Sequence, residues 1–214
     1  MATKGTVNGI IANMVTIDVD GPVAQNEICY ITTGGDRLMA EVIKVENSRA
    51  YVQVFESTRG LKVGSPAEFV GHRLEVTLGP GMLSKNYDGL QNDLDKMEGT
   101  FLKRGDYTYP LNKEGTWLFK PLMSVGDKVI AASWLGEVEE NFQSLKIMAP
   151  FRLKGEYTIK SIASEGEYKI EDTIAVIANA QGDEINVTMI QRWPVKIPML
   201  NYNNKPRPYK ILET

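Results

Sequence analysis

The sequence predicts a mainly β protein: a small N-terminal β-barrel, then a second β-barrel or sandwich, with one short helix between them and an extended proline-rich tail. Three observations carry this. Apolar and polar residues alternate with period two through the first eighty positions, a second β-rich stretch contains an internal repeat, and only one segment shows helical spacing. The expected organisation is 1–80 barrel, 81–102 turn and short helix, 103–190 second β domain, and 191–214 connector.

In the first module Val15, Ile17 and Val19 alternate with polar neighbours until Asp20-Gly21-Pro22 closes the run. Ile28 to Thr32 is a second apolar stretch, ended by Gly34-Gly35, and Leu38–Val45 and Ala50–Phe55 flank Asn47-Ser48 at hairpin spacing. Short strands with turns this frequent favour a closed barrel, because closure removes exposed edges. Asn8-Gly9 lies inside a strand-like run and reads as a bulge rather than a turn.

Gly79-Pro80-Gly81 interrupts the pattern. Between Leu83 and Met97, the residues Leu90, Leu94 and Met97 recur at spacings of four and three, which predicts a short surface helix. Beyond it, Phe119-Lys120-Pro121-Leu122-Met123-Ser124-Val125-Gly126-Asp127 matches Ile159-Lys160-Ser161-Ile162-Ala163-Ser164-Glu165-Gly166-Glu167 at an offset of forty. In the same register Ile130 falls on Ile170 and Trp134 on Ile174. Two equivalent β-units facing each other across one core are expected. From Arg192 onward, Pro194, Pro198, Pro206 and Pro208 exclude a continuous helix or central strand. Arg192, Lys196, Lys205, Arg207 and Lys210 could serve as an anion-binding arm, but an extended connector is the simpler reading.

Composition narrows the function. Among 214 residues the net charge is −3, and the sequence pI is near 5.4, against a nucleic-acid-binding role. Cys29, the single cysteine, lies in the apolar run Ile28-Cys29-Tyr30-Ile31, so it reads as a small buried hydrophobe. Met1-Ala2-Thr3-Lys4 opens no signal-peptide pattern, and no window reaches the ~18 apolar residues of a spanning helix. A cytoplasmic protein, touching a membrane system only indirectly, is expected.

No self-sufficient catalytic, cofactor or metal site is legible. Gly34-Gly35-Asp36-Arg37 and Gly126-Asp127-Lys128-Val129 lack the Lys-Ser or Lys-Thr of a phosphate-cradling loop, and both read as turns. His72 alone, with one cysteine, makes neither a usual zinc site nor a catalytic triad. Glu137, Glu139 and Glu140 cluster at an expected hairpin tip, where a solvated face is the plainer reading than paired catalytic carboxylates.

The stretch from Gly126 through Glu139 to Ala149-Pro150 resembles biotinyl and lipoyl carrier domains. In that alignment Glu139 takes the place of the acidic residue before the tip and Phe142 that of the modified lysine, while Lys146 lies too close to Pro150. Phenylalanine accepts no acyl group, so a swinging-arm role is not expected. A stand-alone carrier-like or adaptor protein remains the alternative.

Several landmarks in order are similar to the catalytic A subunit of V/A-type rotary ATPases: Glu56-Ser57-Thr58-Arg59-Gly60-Leu61-Lys62-Val63-Gly64-Ser65-Pro66, then Leu78-Gly79-Pro80-Gly81-Met82-Leu83. Tyr87-Asp88-Gly89-Leu90-Gln91 and Arg192-Trp193-Pro194-Val195-Lys196-Ile197-Pro198 follow. Asn92-Asp93 departs from the family's arginine–proline pair. The resemblance implies a collar barrel in a ring of alternating A and B subunits. It also implies that 103–190 is an insert, absent from B and F-type subunits, that contacts a peripheral stalk. The full-length subunit would use ATP/ADP and Mg²⁺ in synthesis or hydrolysis coupled to H⁺ or Na⁺ transport. This chain is expected to stop, at Glu213-Thr214, ahead of the phosphate-binding loop and to be inactive by itself.

Overall fold

The computed structural model describes residues 3–99 and 103–198. They form two compact units. The first runs to Glu75 and also takes the segment ending at Thr108 and Pro194–Lys196; the second takes Val76–Lys96 and Tyr109–Trp193.

The first unit is a closed barrel of six strands: β1 (Lys4–Ile11), β2 (Met14–Val19), β3 (Glu27–Thr33), β4 (Asp36–Glu46), β5 (Arg49–Val54) and β6 (Pro66–Arg73), in the order β1-β2-β5-β4-β3-β6. Antiparallel pairing of β6 with both β1 and β3 closes it. Val7, Val15, Ile17, Cys29, Ile31, Leu38, Val42, Val52 and Phe69 point inward and are buried. Each is an alternate residue of its strand, so period-two patterning becomes an inside and an outside. The register slips between Val7 and Gly9, which places the expected bulge at Asn8. Asn47 adopts φ 54° in the β4–β5 hairpin, where the sequence places a turn.

β4 breaks the alternation, because Leu38 through Val42 are all buried. Leu38, Ala40 and Val42 fill the barrel, while Met39 and Glu41 lie on the opposite face. That outer face is covered by returning chain. The Tyr107 hydroxyl accepts a hydrogen bond from the Met39 amide (2.9 Å) and donates one to Glu56 (2.9 Å). Arg104 Nε donates to Asp36 (3.0 Å), and the Gly105 amide donates to Glu56 (3.0 Å). Tyr107 also meets Tyr30 edge-on. Arg104, Gly105 and Tyr107, placed by the sequence pattern at the start of the second domain, thus pack on the first barrel. Lys196 completes the cover by pairing with Glu41.

In the second unit β7 (Glu75–Leu78) pairs with β16 (Gln191–Pro194). The helix expected within Leu83–Met97 does not form; a single 3₁₀ turn, Leu94–Lys96, stands there. The Asp88 carboxylate accepts from the Leu90 and Asn92 amides and from Asn92 Nδ2, and Gln91 turns to φ 64°. A side chain that binds its own backbone competes with the helical ladder. Asp93 is then buried, with Lys96 3.3 Å and Lys85 3.7 Å away, so a charge network replaces the expected apolar stripe.

The remaining strands are β8 (Thr116–Pro121), β9 (Lys128–Val129), β10 (Trp134–Glu140), β11 (Gln143–Met148), β12 (Tyr157–Ile162), β13 (Gly166–Lys169), β14 (Ala175–Ala178) and β15 (Glu184–Val187). They make two four-stranded sheets, β11-β10-β8-β13 and β15-β14-β12-β9. Each strand of the first repeat has its counterpart four strands later, and the repeats exchange one strand: β13 pairs with β8, and β9 with β12. The repeat in sequence is therefore a repeat in topology. Phe119 and Ile159 are both core residues; Ile170 and Ile174 are buried, whereas Ile130 and Trp134 are exposed. Phe119 packs so tightly on β10 that a Cβ at Gly136 would come within 2.2 Å of its ring.

Candidate functional site: an exposed hairpin tip

The two glycine-rich segments are turns. Gly34-Gly35 join β3 to β4 with φ 57° and 95°, and Gly126 bends the chain at φ 95° beside Asp127, which accepts from the Ser124 amide (2.8 Å). Arg37 stacks over the Tyr30 ring (3.8 Å) and Lys128 pairs with Glu156. His72 is exposed on β6, with Nδ1 against the Arg73 carbonyl. Cys29 is buried in the barrel core; burial, and then the Glu27 charge, push its thiol up to about 12. No group of three or more His, Cys, Asp or Glu able to hold a metal occurs among the described residues, and none of their helices is long and apolar enough to cross a membrane. Arg192 lies on β16 and Lys196 on the barrel, whereas Lys205, Arg207 and Lys210 fall outside the described residues.

The most distinctive surface is the β10–β11 hairpin. Glu140 pairs with Gln143, leaving Asn141 and Phe142 as a two-residue turn with φ 48° and 61°. Positive φ at both positions matches the twist of the flanking strands, which is why Asn-Gly is the usual occupant. Holding a phenylalanine there costs about 1–2 kcal/mol. Its side chain packs on none of the described residues, being 98% exposed. The Gly34-Gly35 hairpin shows the unstrained solution in this same chain.

Below the tip, the outer face of the sheet is a shallow groove of about 320 Å³ lined by Leu118, Lys120, Glu137, Glu139, Phe142 and Ser144. Lys120, Glu137 and Lys146 sit in register on three neighbouring strands. The Glu137 carboxylate accepts from Lys146 and from Ser144 Oγ; these bonds, Lys146 first, hold its carboxyl below the usual range. Glu140 points elsewhere and accepts from the Leu83 amide (2.9 Å). Of the three acids grouped in the sequence, only Glu139 keeps a solvated carboxylate. Phe142 occupies the tip, where the carrier alignment placed the modified lysine, and offers no amine.

Residues 7–71 match the family model for the "ATP synthase alpha/beta family, beta-barrel domain", and residues 108–196 match that for the "ATPsynthase alpha/beta subunit barrel-sandwich domain". Their order is that of the two units. The chain belongs to the ATP synthase alpha/beta family. It is similar to the V-type ATP synthase alpha chains of Borreliella afzelii and Borreliella burgdorferi, at 46% identity over 208 residues, covering 96% of this chain and 36% of each relative. The alpha chain of Borrelia hermsii is 45% identical over 217 residues, covering all of this chain and 38% of the relative. The chain thus spans little more than a third of the length of the curated relatives it matches, and corresponds to the N-terminal modules of an alpha (A) chain. Within this family frame, the segment docked on the barrel and the positive φ and full exposure of Phe142 at the expected tip are the features that the sequence did not disclose. Glu41 inside an apolar run was the signal for the first, since a buried carboxylate requires a partner.

Proposed function

We propose that this chain supplies the non-catalytic assembly modules of the A subunit of a V/A-type rotary ATP synthase. The barrel takes its place in a collar alternating with B subunits, and the insert, residues 103–190, contacts the peripheral stalk that resists rotational torque. ATP synthesis or hydrolysis, with ATP/ADP and Mg²⁺ and coupled to H⁺ or Na⁺ transport, belongs to the complete subunit. The whole would be peripheral to the membrane, on its cytoplasmic side.

One observation carries this reading: a closed six-stranded barrel is followed by an intertwined barrel-sandwich, in the order of the two family modules. Supporting it, Ile11 and Val63 expose apolar side chains on the barrel, as a ring contact requires. The test is co-sedimentation of this chain with a V-type B chain, alongside a titration with MgATP. Association with B and no heat of nucleotide binding are expected. Tight MgATP binding by these residues alone, or no association with B, contradicts the reading.

A further inference from the structure

Phe142 is disfavoured in its own fold on two independent counts. It is a bulky side chain at positive φ, and it is an aromatic ring left almost wholly in water. A glycine would relieve both, so nothing among the described residues explains the side chain, and a contact beyond them is inferred.

The surroundings define the chemistry of that contact. Leu118, 41% exposed, lines the same groove and supplies a second apolar anchor. It pairs in register with Glu167 on β13 and shares the groove with Glu139 on β10. Lys120 and Lys146 both stand beside Glu137, one on each neighbouring strand. Glu139 and Glu167 are left exposed, with no ion pair among the described residues. The groove therefore presents two apolar anchors flanked by two solvated carboxylates, and with Glu137, Lys120 and Lys146 included three acids face two lysines. The acidic excess of one charge, carried by the two unpaired carboxylates beside the apolar anchors, favours a cationic polypeptide over nucleic acid or anionic lipid.

We propose that the β10–β11 tip and its groove are a docking surface for a basic amphipathic segment of a partner protein. Phe142 and Leu118 insert between its apolar side chains, and Glu139 and Glu167 meet its lysines or arginines. The proposal rests on the assembly reading only for where such a partner is found; the surface itself is argued from this chain's residues.

The test uses this chain with two synthetic amphipathic peptides of one pattern, leucine–lysine and leucine–glutamate, followed by fluorescence anisotropy. The leucine–lysine peptide is expected to bind and the leucine–glutamate peptide to bind at least about tenfold more weakly. Phe142→Gly should weaken binding about tenfold or more, the scale of a central aromatic anchor, while the melting temperature holds or rises. Glu139→Gln with Glu167→Gln should weaken binding several-fold and remove most of its salt dependence. Equal affinity of Phe142→Gly for the cationic peptide overturns the proposal. So does equal binding of both peptides, binding of neither, or a lower melting temperature for Phe142→Gly. Association with B chains involves the barrel and is unchanged by Phe142→Gly, so its failure marks the assembly reading and not this one.

Discussion

Lys196 Nζ lies 2.6 and 2.8 Å from the two carboxylate oxygens of Glu41. The pair is asymmetric: the Glu41 side chain is 6% exposed and that of Lys196 56%. A residue near position 200 thereby supplies the counter-charge for an acid on the outer face of β4. Removing one partner of a fully buried pair costs about 3–5 kcal/mol; with the lysine half in water the cost here is roughly 1–2 kcal/mol. Lys196→Met should lower the barrel's denaturation midpoint accordingly, and Glu41→Gln in the same chain should recover most of the loss. Urea denaturation of the two variants checks this, and a Lys196→Met chain as stable as the parent counts against it.

Tyr107 is the second fastener on that face. Its hydroxyl sits between an amide donor and a carboxylate acceptor, and burial first, then the bond to Glu56, push its titration up. Tyr107→Phe leaves the Met39 amide without its partner, at a cost of about 1–3 kcal/mol. Faster amide exchange at Met39 than at Leu38, whose side chain faces the barrel interior, is the expected readout.

Gly136 tests the intertwined repeat. A methyl group there would meet the Phe119 ring at 2.2 Å and the Lys120 carbonyl at 2.7 Å. The carbonyl is backbone and cannot swing away. Gly136→Ala should therefore destabilise the second unit by about 1–3 kcal/mol, the usual cost of overpacking. Thermal melts of the parent and variant decide it.

The pH dependence has a definite sign at Glu137. Its carboxyl is held below its ordinary value of 4.5 by Lys146 and Ser144. A depressed carboxylate contributes stability above its unfolded pKa and loses it as pH falls through the folded value. The stability difference between the parent and Glu137→Gln should be largest near neutral pH and shrink below about 4.5. A difference that grows on acidification would point to another group.

Much of this architecture was legible in the sequence, for local reasons. The alternation of Val15, Ile17 and Val19, the Asn47-Ser48 turn and the bulge at Asn8 are decided by neighbouring residues. The forty-residue repeat showed two like units, but not that they exchange β9 and β13, since strand exchange is a non-local choice. The helix expected from Leu90, Leu94 and Met97 failed because Asp88 captured its own backbone. The return of Tyr107 and Lys196 to β4 was hidden too: contacts 68 and 155 residues apart leave no periodic trace, only the oddity of Glu41 among apolar residues. Phe142 was visible as a missing lysine; its strain and exposure became evident only with the turn geometry.

If these residues act as the assembly modules of an alpha chain, they should replace the corresponding segment of a relative. The decisive measurement replaces the matching segment of the Borreliella burgdorferi alpha chain with this chain and follows ATP hydrolysis by the complex assembled with that organism's partner subunits. An assembled, hydrolysing complex is expected. A chimera that folds but neither assembles nor hydrolyses ATP would overturn the assembly role.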